Sequence, residues 1–285
     1  MELLGGQAVI EGVMMKGKKH IAVAVRKGKK IVTKKDAFVS LTKKNKFYGF
    51  PFIRGIVNIF DMMIIGVKSL DWSANQALDE EDEEEFSGWH LFISIVLAFG
   101  FALVLFKLIP LGITTYLFNK DAFGSRIVFN IVDGLIRIGL FTAYLYLISL
   151  WKDVRILFQY HGAEHKAVSC YEAKKPLTVK NVQKFSTKHP RCGTSFIIFV
   201  FLIAILVFSL IPVKMPFWML FLFRFILVFP IAGISYELLR YSALMRNDYF
   251  FKFIIAPGMW FQGITTNEPT NKQVEVSIAA LKKVL

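Results

Sequence analysis

Cysteine is nearly absent from this 285-residue sequence, which holds only Cys170 and Cys192. Both fall in a segment that the charge distribution assigns to the reducing side of a membrane. A disulfide is therefore not expected, and a packed thiol or a metal ligand remains as the reading of each. Histidine is almost as scarce, with five residues, so any clustering of it carries information. No Gly-rich stretch has the spacing of a phosphate loop, and no internal repeat recurs. The opening MELLGGQAVIEG lacks a basic region followed by about 7–15 apolar residues, so the first long apolar run is expected to act as the insertion signal. Lys and Arg are also missing from particular places. The net charge is +14, yet the segments around 111–126 and 213–216 carry almost none of it. The basic residues crowd 16–46, 151–191 and 240–283 instead. That asymmetry reads as membrane topology with both termini and the long central loop cytoplasmic, and no nucleic-acid partner is expected.

Apolar residues are plentiful at 55%, with 29 Phe, above the roughly 45–50% of soluble domains. They concentrate in 89–110, 127–150, 195–212 and 217–238, each close to the ~20 residues that cross a bilayer as a helix. The expectation is a mainly α, polytopic helical membrane protein with about four transmembrane helices, a short N-terminal cytoplasmic β-hairpin and interfacial amphipathic helices. Residues 1–49 would be a cytoplasmic Gly-rich segment with a hairpin formed by IAVAVR and IVTKKDAFV across KGKK. In 50–72 Arg54, Asn58, Asp61 and Lys68 share one narrow stripe of an amphipathic helix, either interfacial or re-entrant, or packed against the bundle with the stripe towards something polar. The 73–88 segment contains the acidic run DEEDEEE and reads as a solvated linker. Transmembrane helices 1 and 2 occupy 89–150, a cytoplasmic His/Cys loop with a helix 151–194, and helices 3 and 4 195–238. The remainder, 239–285, would be a cytoplasmic segment. Its aromatic stretch 249–263 is expected at headgroup level, and its end is an amphipathic helix opened by the capping-box pair Thr270 and Gln273.

The chemistry concentrates in YHGAEHKAVSCYE at 160–172. On a helix His161 and His165 lie about 40° apart and one turn along, so both imidazoles reach a common point. The order H-x-x-E-H also places Glu164 on that face as a candidate general base. His189 and Cys192 in HPRC are the candidate completing ligands, with Glu172 as the alternative because eleven residues return it to the His161 face. The other reading is a pair of histidines hydrogen-bonded at a crowded membrane surface. Cys170 points to the opposite side and reads as packed. Within the spans, Asp133 and Arg137 sit at i, i+4, with Asn130 before them and Arg224 in the last span. Charges at that depth imply either a polar pocket or an ion pair joining two helices. Glu237 and Arg240 are placed to reach the layer of His161. His20 and His90 are isolated and read as surface or interface residues.

Six segments together resemble the YqhQ-like bacterial membrane proteins: GGQAVIEGVMMKG, RGIVN, YHGAEHKAVSCYE, HPRCGTSF, SYELLR and PGMWFQGITTNEP. These form a domain-of-unknown-function family labelled as predicted metal-dependent enzymes. The resemblance implies a bacterial inner membrane and points to His161, Glu164, His165, His189 and Cys192. It also implies Gln7, Glu11 and Arg54 as polar residues lining the same cytoplasmic site. Two functional expectations follow. One is a metal-dependent membrane enzyme, a hydrolase using a divalent ion such as Zn²⁺, with Glu164 relaying a proton and Arg54 or Arg191 holding a developing anion. The other is a non-catalytic transporter, scaffold or regulator with a structural metal or none. Its partners would be the lipid bilayer, another membrane protein or a second copy.

Overall fold

A computed structural model describes residues 4–77, 88–118, 125–211, 215–244 and 249–285. The acidic run at 79–85 lies outside them. The chain opens with four antiparallel strands in the order β1-β2-β3-β4: β1 (Gly5–Val9), β2 (Gly12–Lys16), β3 (His20–Lys27) and β4 (Lys30–Ala37). The expected hairpin is β3–β4, with Lys27 paired to Lys30 across a turn in which Gly28 takes a φ of 58°. The Gly-rich opening adds two further strands that the sequence did not suggest. Its glycines serve the pairing: a Cβ on Gly12 would lie 2.2 Å from the Ala24 carbonyl oxygen.

Both faces of β2 and β3 are buried, which is why β3 reads IAVAV without a polar alternate. Val13, Met15, Ala22 and Ala24 face one core with Tyr160, Ala163 and Ala167. Val9, Met14, Val23 and Val25 face another with Ile65 and Trp72. Period-2 geometry turns successive residues to opposite faces, so two different helical layers are served by one strand.

The helices follow in order. They are α1 (Leu41–Lys44), α2 (Ile53–Ala77), α3 (Gly88–Leu103), a π-helical turn (Val104–Leu108), α4 (Ile109–Leu117), α5 (Ser125–Ser149), α6 (Lys152–Glu172), α7 (Val179–Val182), α8 (Gly193–Ser209), α9 (Phe217–Ile226), α10 (Val228–Leu244), α11 (Tyr249–Thr265) and α12 (Asn271–Val284). Among the described residues three runs are long and apolar enough to cross a membrane: Phe92–Leu117, Arg126–Ser149 and Phe217–Ser242. The third expected span is shorter. Gly193–Ser209 has 17 residues, about 25 Å of helix against a ~30 Å hydrocarbon core. The first run extends beyond the expected 89–110 because Pro110 sits in the first turn of α4 and is tolerated there.

Two further segments pack onto the bundle. The polar stripe of α2 turns inward: Arg54 pairs with Glu237, Asn58 donates to the Tyr236 hydroxyl oxygen, and Asp61 accepts from Ser40, while Lys68 stays exposed. The 249–263 segment is a 17-residue helix, α11, with Pro257 inside it, and it packs along α8. Gly258 allows that approach, since a Cβ there would lie 2.5 Å from Ser195 Oγ. The C-terminal α12 carries the expected capping box at Thr270 and Gln273. Its apolar side, Val274, Ile278, Leu281 and Val284, lies against the sheet and α6 in the first core.

Candidate metal centre

Helix α6 is the spine of the site. It is buried through Tyr160–Val168 apart from His161, which is half-buried, and it runs between β1 and α12. The i, i+4 spacing brings the His161 and His165 rings edge to face, 4.4 Å apart between centroids. Each ring is then fixed through its inner nitrogen. His161 Nδ1 lies 2.9 Å from the Thr265 carbonyl oxygen, and His165 Nδ1 lies 2.5 Å from that of Thr187. A carbonyl only accepts, so both Nδ1 atoms carry the hydrogen and both Nε2 atoms keep the lone pair a metal needs.

Cys192 completes the arrangement. Its Sγ is 3.2 Å from His161 Nε2, and one donor atom from each of His161, His165 and Cys192 lies within 4.8 Å of the other two. Tetrahedral zinc with bonds of about 2.1 Å to nitrogen and 2.3 Å to sulfur separates its ligands by roughly 3.3–3.8 Å. The donor set fits such an ion in type and spacing. Cys192 also caps α8, its Sγ accepting from the Thr194 amide, so the sulfur sits at the positive end of that helix, where negative charge is favoured.

Gly162 makes the anchoring possible. A Cβ there would fall 2.1 Å from the Asn267 carbonyl oxygen. With hydrogen in its place the 265–267 segment crosses α6 closely enough for the Asn267 amide to donate to the Phe158 carbonyl and for Thr265 to reach His161. Glu164 projects beside the same point. Its Oε2 is 3.8 Å from His165 Nε2, and the Gly6 amide of β1 donates to the carboxylate. Burial pushes the Glu164 carboxyl above its ordinary range, against the opposing pull of His161, His189, the Gly6 amide and Arg191. Burial also pushes His165 below its ordinary value, towards the neutral form of a ligand.

The remaining candidates have other placements. His189 is buried with its ring 5.7 Å from that of His165, but its Nε2 faces Glu172 at 3.4 Å. The backbone of His189 is clamped on both sides by Gln262. Glu172 also pairs with Arg191. Neither His189 nor Glu172 belongs to the three-residue group. Gln7 packs against Gly66 of α2, Glu11 accepts from the Tyr160 hydroxyl, and Arg54 bonds Glu237, so the contacts of these three are with residues outside the three-residue group. Cys170 is packed in the first core. His20 opens β3, and the side chain of His90 lies outside the described residues. Thr187, Thr265, Gly6 and Gly162 had escaped the sequence reading. A backbone carbonyl or amide as partner leaves no side-chain signature, and only the Gly in HGAEH hints at a close crossing.

A second polar set lies among the apolar helices. Asp133 Oδ2 accepts from Arg137 at 2.8 Å and lies 3.0 Å from Arg224 Nη1. Arg224 also donates to Asn130. Lys107, which had passed as a lone charge in the first span, joins them from the π-helical turn by donating to the Arg224 carbonyl at 3.2 Å. Lys107, Arg137 and Arg224 all lie over the ring of Phe208.

Fold and site together define a mainly helical protein with helices of membrane-crossing length and a His/His/Cys cluster held between an N-terminal sheet and the helical bundle. The chain belongs to the family described as protein of unknown function (DUF1385), whose model matches residues 50–285. It is 34% identical over 299 aligned positions to the uncharacterized protein YqhQ of Bacillus subtilis (strain 168), covering 99% of this chain and 92% of that protein. No solved structure matches it.

Proposed function

We propose that this protein is a metal-dependent membrane enzyme, a hydrolase whose centre lies at the cytoplasmic face of a bacterial inner membrane. The observation that carries the reading is the convergence of one ring nitrogen each from His161 and His165 with Cys192 Sγ, with both imidazoles oriented by carbonyls and a buried carboxylate alongside. Three protein ligands are the donor count of catalytic zinc sites, whereas structural sites close with four. A divalent ion, Zn²⁺ by this donor set, would supply Lewis acidity to an oxygen of substrate or water. Glu164 would accept a proton there and return it to the leaving group. Burial raises its carboxyl above the ordinary range, which strengthens it as a proton acceptor. Arg191, beside Cys192, is placed to balance negative charge that develops on the substrate.

The test is Glu164→Gln, which keeps shape and hydrogen-bonding capacity but takes no proton. The variant should retain its metal and its fold while failing to rescue a deletion strain. Retained metal with full rescue would remove Glu164 as the base. Orientation rests on the Lys/Arg asymmetry, so reporters fused after Phe118 and after Lys175 should report opposite sides of the membrane. An exported reporter at 175 would place the centre outside the cytoplasm.

The buried set of Lys107, Arg137, Arg224 and Asp133 favours a second reading, a transporter, scaffold or regulator. In that case the metal pins the 187–192 segment to α6. The exposed apolar surface of Phe92–Leu117 would face lipid, another membrane protein or a second copy.

A further inference from the structure

Beside the centre lies a cavity of about 250 Å³ lined by Leu4, Gly5, Lys16, Gly17, Met62, Arg191, Tyr236, Leu239 and Arg240. Three of these residues are cations and none is a carboxylate. Arg191 is paired with Glu172, whereas among the described residues Lys16 and Arg240 form no ion pair. Lys16 instead places its Nζ 3.5 Å from Met62 Sδ and 4.7 Å from the centre of the Phe38 ring. Burial pulls its ammonium below the ordinary value, with Asp61 pulling the other way and Lys43 adding to the fall.

Two of its lining residues adjoin the centre in the chain. Gly5 precedes Gly6, whose amide holds Glu164, and Arg191 precedes Cys192. Its other wall is apolar, made of Leu4, Met62 and Leu239. Leu239 and Arg240 occupy the last turn of the run Phe217–Ser242, the depth at which headgroups meet a crossing helix. A volume just below the ~300 Å³ of small-ligand pockets suits a headgroup, not a whole lipid.

We propose that this cavity binds the phosphate of an anionic phospholipid, with Lys16, Arg191 and Arg240 around the charge and the acyl chains running out along Leu4, Met62 and Leu239. As the substrate class of the His/His/Cys centre this rests on the enzyme reading above. As a binding site it stands on the cavity alone. The shared chemistry is a phosphate ester, and depth in the membrane selects the lipid over a soluble ester.

The test is native mass spectrometry of the purified full chain with phosphatidic acid, phosphatidylcholine or glycerol 3-phosphate, with metal content measured on the same samples. Phosphatidic acid should be retained about tenfold better than phosphatidylcholine, and Lys16→Met/Arg240→Gln should abolish that preference. Arg240→Gln alone, at a half-buried site, should weaken it severalfold and keeps the test open if the Lys16 change unfolds the chain. Undiminished preference in a folded variant, no preference in the wild type, or equal competition by glycerol 3-phosphate would each overturn the assignment. A His161→Ala variant that lacks metal yet retains phosphatidic acid would support the lipid site while separating it from the enzyme reading.

Discussion

The two polar clusters of this protein are built on opposite plans. At His161, His165 and Cys192 the atoms that face one another are electron-pair donors, each fixed from behind by a carbonyl or a helix end. Such a group has little to offer itself and much to offer a cation. At Asp133 the facing atoms are complementary, one carboxylate serving Arg137 and Arg224, each no more than 3% exposed. That group is organised towards itself, with Phe208 packed under its cations. The comparison teaches where to look for chemistry. Convergent donors of one kind point to a guest, whereas opposite charges point first to cohesion between helices.

The largest effect that would break this comparison is loss of metal. His165→Ala should reduce the metal content of purified protein by at least about tenfold, because a site with one nitrogen fewer loses most of its affinity. Elemental analysis checks it, and near-stoichiometric metal in the variant would reduce the cluster to structural histidines. Next comes Asp133→Ala, which leaves two guanidiniums buried without their counter-ion and should cost about 3–5 kcal/mol. Thermal or denaturant unfolding in detergent measures that cost, and metal per folded molecule should not change. A neutral outcome would mean the helices do not depend on the pair. Gly162→Ala sharpens the contrast most finely, since it alters no ligand. The added Cβ meets the Asn267 carbonyl and displaces Thr265 from His161, so metal affinity should fall about 10–100-fold with both histidines intact. Competition with a chelator reads it.

Local pattern made parts of this legible in advance. The His161/His165 pair, the packed Cys170, the capping box at Thr270 and the Asp133–Arg137 pair all depend on residues within about one or two turns. The β1–β2 strands were hidden because glycines dilute their apolar alternation, and their pairing is settled by the neighbouring strand. Lys107 was passed over because nothing near it in sequence shows that Arg224, over a hundred residues away, lies beside it.

By itself the sequence determined that long apolar runs must form helices, since backbone polar groups in lipid have no other partner. It determined also that two histidines one turn apart share a helix face, since helical pitch leaves no alternative. Only the tertiary structure decided which distant atoms complete each cluster. It brought Cys192 to His161 Nε2, left His189 with Glu172, gave Arg54 to Glu237, and ran the 265–267 segment over Gly162. Those choices depend on the path of the chain through three dimensions, where packing of α6 between sheet and bundle selects one partner among several of equal chemical merit.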